Sequence, residues 1–146
     1  MTEDIKGKTI VINKPSYALY SAFSDLRNFT ANLPAEYRDR LEAGQDSLLF
    51  KVQNLSFGAR IHNRVPFSRI DLEQFGQAPF PFLLSLFMEP ADDRTTWFHI
   101  ELKAELNMMM KMMLGKKLQE GVDAVTEQIA RAASGETPAD LSHVSF

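Results

Sequence analysis

Side chains able to do chemistry are sparse in this 146-residue chain. Its three histidines, His62, His99 and His143, show neither i, i+4 helical spacing nor an H-E-x-x-H pattern, so a shared metal site is not expected. There is no cysteine, which removes disulfides, cysteine zinc sites and thiol catalysis together. No serine stands in a G-x-S-x-G elbow, and no glycine-rich dinucleotide fingerprint occurs. Strand alternation turns Asp71 and Glu101 outward as solvated charge rather than as a catalytic carboxylate pair. Asn63, Lys111, Tyr20 and Tyr37 are left as polar groups able to face an interior. That is thin equipment for acid–base catalysis. The residues favour a binding protein over an enzyme, with no cofactor and no metal.

Composition narrows the partners. The net charge is −3, with acids and bases interspersed and no basic run or basic helix face, so nucleic acid is not expected. No segment approaches the ~18 apolar residues of a membrane span, and the N-terminus lacks the apolar stretch of a signal peptide. A cytoplasmic location is the expectation. With 45% hydrophobic residues the chain suits one ordinary globular domain. We place that domain at residues 5–133 and read 134–146 as a loose tail anchored only by Leu141, Val144 and Phe146.

The elements that must position any site follow from periodicity. Lys8–Lys14 is β-branched and reads as a strand ended by Pro15. Pro15-Ser16 suits a helix start, with Ser16 as a possible cap, and Leu19, Tyr20, Phe23 and Leu26 share one side. Short helices then run over 27–33 and 35–41. From Asp46 the period becomes alternating. Ser47–Gln53 faces Leu48, Phe50 and Val52 inward, and Asn54–Gly58 reads as a hairpin turn. Ala59, Ile61, Asn63 and Val65 then oppose Arg60, His62 and Arg64. On Ser68–Phe75, Ile70 and Leu72 oppose Arg69, Asp71 and Glu73, so the outward faces of these neighbours are basic and largely acidic. Phe82–Glu89 is apolar on both faces, as in a doubly covered or interface strand. Thr95–Leu106 alternates most cleanly, with Phe98, Ile100, Leu102, Ala104 and Leu106 inward.

The last long segment, 106–133, organises the rest. Its stripe of Leu114, Leu118, Val122, Val125 and Ile129 is that of an amphipathic helix lying on a sheet. Lys111 falls near the centre of that stripe, either snorkelling to water or meeting an acidic head group at a cavity rim. Gly115 lies beside it, explained by close packing or by room for a ligand. The cluster Met108, Met109, Met110, Met112 and Met113 makes the first two turns apolar nearly all round. Extra core, a flexible cavity mouth and an exposed partner patch are the three readings of it. Asn63 is an inward amide that needs a partner, unless a bulge turns it outward.

The order of elements and two local patterns resemble the START/pollen-allergen superfamily, whose bacterial members include polyketide cyclases and coenzyme Q-binding proteins. The patterns are Ile12-Asn13-Lys14-Pro15 leading to Tyr20 and then Phe23-Ser24-Asp25-Leu26-Arg27-Asn28-Phe29, and Glu105-Leu106-Asn107-Met108 leading into Lys111-Met112-Met113 and Leu118. The resemblance implies an α+β helix-grip fold, a curved antiparallel sheet of about six strands in the order β-α-α-β-β-β-β-β-α around a long C-terminal helix. It also implies an apolar cavity used for lipids, isoprenoids or polyketides, and no particular chemistry. The expected lining is Phe29 and Leu33 from the short helices, Phe50, Ile61, Asn63 and Leu72 from the sheet, Phe98 and Ile100 from the last strand, and Met108, Lys111, Met112 and Gly115 from the helix. A hydrophobic small molecule is the expected partner. A cyclase or aromatase using the same cavity is the alternative. An interaction module or homodimer, through the methionine patch or strand 82–89, is the third reading.

Overall fold

The computed structural model describes residues 2–28, 40–52 and 55–133, apart from the side chains of 52, 55, 132 and 133. The elements are β1 (Thr2–Lys6), β2 (Ile10–Ile12), α1 (Ser16–Phe23), β3 (Leu41–Ala43), β4 (Ser47–Val52), β5 (Leu55–Val65), β6 (Arg69–Gly76), β7 (Phe82–Pro90), β8 (Thr96–Glu105) and α2 (Met108–Ala133). Among the described residues, eight strands form one antiparallel sheet in the order β1-β8-β7-β6-β5-β4-β3, with β2 also paired to β8. The expected α+β helix grip is present, with more strands than periodicity indicated. Phe29, Leu33, Tyr37, His143, the tail and most of the helices expected over 27–33 and 35–41 lie outside the described residues; Leu41, expected to end the second helix, instead begins β3.

The first expected strand, Lys8–Lys14, is the short β2, and β1 before it was not expected. β1 pairs with the far end of β8 (Thr2 opposite Glu105, Lys6 opposite Glu101) and β2 with its start (Ile10 opposite Phe98). Between them the Gly7 N–H donates to Ile100 O at 2.8 Å. At this break α2 is tied to the sheet by side-chain contacts. Gln119 Nε2 donates to Lys6 O at 3.0 Å, the Lys8 N–H donates to Asp123 Oδ1 at 3.0 Å, and Lys8 pairs with Glu127. Positions 119, 123 and 127 are successive i+4 neighbours, so one polar row of the helix grips the edge of the sheet.

The core lies on the face that carries both helices. Phe98, Ile100, Leu102 and Ala104 are buried along β8 as alternation predicts, and so are Ile70 and Leu72 on β6 and Leu86 and Met88 on β7. Helix α1 packs over β7 and β6, and α2 over β1, β2 and β8. Ser16 does not cap α1. Pro15 stands at the cap position, and the Ser16 hydroxyl meets Thr96 Oγ1 at 3.1 Å, buried between helix and sheet. The Thr96 hydroxyl in turn donates to Lys14 O at 2.7 Å. Asn107 is a true cap on α2, its Oδ1 accepting from the Met110 N–H at 2.8 Å.

One bulge changes two readings. In β5, Ile61 stands opposite Leu72 but Asn63 stands opposite Asp71, so one extra residue intervenes and the alternation reverses. Asn63 therefore points to the outer face, where its Nδ2 donates to Asp71 Oδ2 at 3.0 Å. Arg64, read as outward, swings to the helix side and donates to Ser24 O at 2.9 Å and Asp46 Oδ1 at 2.6 Å. Before the bulge the expected charge pairing holds, with Arg60 Nε 3.0 Å from Glu73 Oε1.

Candidate functional site

The ends of four strands and the start of α2 meet at one end of the inner face. Cross-strand register places Phe50 opposite Phe57, Phe57 opposite Gly76 and Phe82 opposite Ala104. Their rings form a chain: Phe50 and Phe57 stack at 5.4 Å, Phe57 meets Phe82 edge-on at 6.3 Å, and Phe80 meets Phe82 at 6.1 Å. Such spacings are those of interacting aromatic pairs. The Glu105 N–H donates to Pro81 O at 2.9 Å, which brings the first turn of α2 to the same end.

Helix α2 is fixed where Gln119, Asp123 and Glu127 hold it and is sparsely covered before that. A Cβ on Gly7 would meet Val122 Cγ1 at 2.7 Å, whereas nothing lies within 4 Å of a Cβ on Gly115. Gly115 precedes Val122 by seven residues, about two helical turns, and so falls on the same side of α2, where its surroundings are open. Close packing is thus not what Gly115 provides. On the inner face of the sheet, Phe50, Ile61, Phe82 and Leu84 are partly buried apolar side chains packed against a core that includes Leu72 and Ile100.

Of the expected lining residues, Phe50, Ile61, Leu72, Phe98 and Ile100 lie on the inner face of the sheet, and Gly115 lies on the side of α2 that carries Val122. Leu72, Phe98 and Ile100 are at 0–2% exposure and form the floor rather than the wall. Asn63 has left this set through the bulge. Met108 and Met112 are 69% and 82% exposed, and Met109 and Met113 resemble them, so these four are not extra core, while Met110 is half-buried. Lys111 is at the edge: its Nζ lies 3.0 Å from Glu3 Oε1, and the Glu3 side chain is mostly covered. Glu3 stands opposite inward-facing Ala104, which explains how an acid on β1 reaches the helix side.

Phe57 and Phe82 belong to this surface and were not among the expected residues. Phe57 falls in a stretch read as a turn. The alternation Leu55, Phe57, Ala59, Ile61 is the signal that would have placed it.

On the outer face Asp71, expected as solvated charge, is instead buried at the centre of a polar cluster. Burial acts to raise its pKa. Hydrogen bonds from Ser85 and Asn63 and the charges of Arg69 and His62 outweigh that, holding the carboxyl below the usual aspartate range. Ser85 Oγ donates at 2.6 Å and Arg69 Nε at 3.1 Å. Among the described residues no group of three His, Asp or Glu could hold a metal ion, and no helix is long and apolar enough to cross a membrane.

Solved structures decide the architecture. A START superfamily protein from Mycobacterium smegmatis superposes with a TM-score of 0.62 at 14% identity, covering 88% of this chain and 97% of that one. Norcoclaurine synthase from Thalictrum flavum, solved with dopamine and hydroxybenzaldehyde, superposes at 0.73 with 9% identity, over 96% of this chain and 90% of that one. The fold is the START-type helix grip. A protein from Rhizobium loti shares this helix-grip fold at a TM-score of 0.65 and 14% identity, over 91% of this chain and 97% of its own. No protein-family model matches the sequence, and no curated protein matches it.

Proposed function

We propose that this helix-grip chain binds a hydrophobic small molecule, of lipid, isoprenoid or polyketide-like character, between the first turns of α2 and the inner face of β4–β7. Two observations support this reading: the surroundings of Gly115 are open on the side of α2 that carries Val122, and Phe50, Phe57 and Phe82 cluster on the inner face of the sheet. A helix residue on the sheet side of a packed domain ordinarily meets neighbours at van der Waals distance. Here apolar surface is left available to a ligand instead, and apolar surface removed from water supplies about 25 cal/mol per Å². The ligand would rest on Leu72 and Ile100, with Phe50, Phe57 and Phe82 along one side. Exposed, flexible Met108 and Met112 suit the entrance, where thioethers adapt to varied shapes.

Native mass spectrometry of the purified protein tests this reading. Retained apolar small molecules, displaced on mild heating, are expected. A protein that carries none and takes up none from mixed lipid extract would sink it.

A cyclase-like enzyme is the second reading, supported by the Glu3–Lys111 pair at the cleft edge, one acid beside one base. Such an enzyme would lose turnover but not binding on Lys111→Met.

A further inference from the structure

The sheet has a second concavity, on the face opposite the cleft. It is an open depression of about 580 Å³ lined by Lys6, Thr9, Arg69, Glu89, Trp97 and His99, among others. Across its floor run three planar groups from three adjacent strands. The Arg69 guanidinium lies 6.0 Å from the Phe87 ring centre, and the Phe87 and His99 rings stack at 4.7 Å, 5° from parallel.

Both ends of this row are braced from outside the depression. Arg69 donates through Nε to Asp71, which Ser85 and Asn63 also hold. His99 Nε2 lies 2.8 Å from Glu101 Oε2. Bracing of this kind means that little side-chain entropy is left to lose when a ligand arrives. With Nε engaged, the terminal N–H groups of Arg69 form the remaining edge of the fork, the geometry that a carboxylate accepts from two parallel donors. The side chains of Lys6, Thr9 and Ser68 and the indole of Trp97 have no hydrogen bond or ion pair among the described residues. The walls therefore offer mainly hydrogen-bond donors, with Lys6 and Arg69 as the cations among the lining residues. Against them stands one wall carboxylate, Glu89, because Asp71 and Glu101 are engaged with Arg69 and His99. Trp97 is 46% exposed, a flat apolar surface beside these donors.

We propose that this depression binds a planar aromatic carboxylate, with its ring against Trp97 and the Phe87–His99 row and its carboxylate on the free edge of Arg69. Lys6 adds attraction from the β1 side and Glu89 opposes it. This site is independent of the cleft on the inner face.

Trp97 is the chain's one tryptophan, so its fluorescence reports on this depression. The probe is cinnamate, with neutral cinnamamide as its control, titrated into the full chain while Trp97 emission is followed. Saturable quenching by cinnamate, at least tenfold weaker with cinnamamide, is expected. Arg69→Gln should weaken cinnamate about tenfold, as loss of a charge-assisted bond does. Lys6→Gln, which leaves the Asp71 cluster intact, should weaken it about two- to threefold, and Glu89→Gln should tighten it similarly. Equal quenching by the acid and the amide overturns the proposal. So does a reversed order, with Glu89→Gln weakening and Lys6→Gln tightening, which would mark a cation site. Non-saturating quenching would show collision with an exposed indole and no site at all.

Discussion

Gly7 lies directly under Val122, so that a Cβ added to the glycine would fall 2.7 Å from Val122 Cγ1 and 3.2 Å from Ile100 O. This contact sets the height of α2 over the break between β1 and β2. The polar row Gln119, Asp123 and Glu127 fixes the same helix laterally. Together they hold this half of the helix down.

Gly7→Ala is expected to cost about 1–3 kcal/mol, the usual range for overpacking a fitted contact. Urea denaturation measures it. A loss below about 0.5 kcal/mol would mean that the helix rides up freely, and that Gly7 does not set its height.

The Asp71 cluster gives a pH signature. Its carboxyl is held below the ordinary aspartate value of about 3.9, so its ionised form stabilises the fold above that pH. That contribution disappears as pH falls through the lowered native pKa. Asp71→Asn should cost about 1–3 kcal/mol near neutrality, because Arg69, Asn63 and Ser85 lose a charged acceptor. The gap between wild type and variant should close as pH drops from about 5 toward 2. Asp25 and Asp92 also have lowered pKa values, through Arg27 and through the loop at Arg94 and Thr95. Both are present in wild type and variant, so they cancel. A gap that stays constant with pH would contradict the assignment.

Lys111 and Glu3 form an ion pair whose lysine is half exposed. Replacing Lys111 by Met should therefore change stability by less than about 1 kcal/mol. Thermal unfolding in low and high salt checks this. A larger, salt-insensitive loss would mean that the pair is sealed from water.

Much of the architecture was legible from pattern, and the failures have physical causes. Phe98, Ile100, Leu102 and Ala104 alternate without interruption, and β8 sits where that alternation requires. Thr2–Lys6 escaped notice because an edge strand needs only one apolar anchor. Ile5 is that anchor, facing Leu102. One inserted residue after Ile61 exchanged the faces of Asn63 and Arg64, and periodicity cannot show a bulge whose partner strand is unknown. The exposed methionines show the same limit from the other side. Hydropathy marks Met108 to Met113 as apolar, but burial depends on whether anything comes to cover them. The sequence likewise left close packing and room for a ligand as rival accounts of Gly115, and only the packed structure shows that its surroundings are open.

That space also gives the most direct test of the central claim. Gly115→Ala should stabilise the protein by up to about 1 kcal/mol, since the helix gains and no neighbour is met. Gly115→Phe should leave the melting temperature near that of wild type while occupying the cleft. The measurement is binding of cis-parinaric acid, a fluorescent long-chain probe, to the three proteins. We predict saturable one-site binding by wild type and Gly115→Ala, weakened at least tenfold in Gly115→Phe. Equal binding by all three proteins, or none by wild type, would contradict a ligand site between α2 and the sheet.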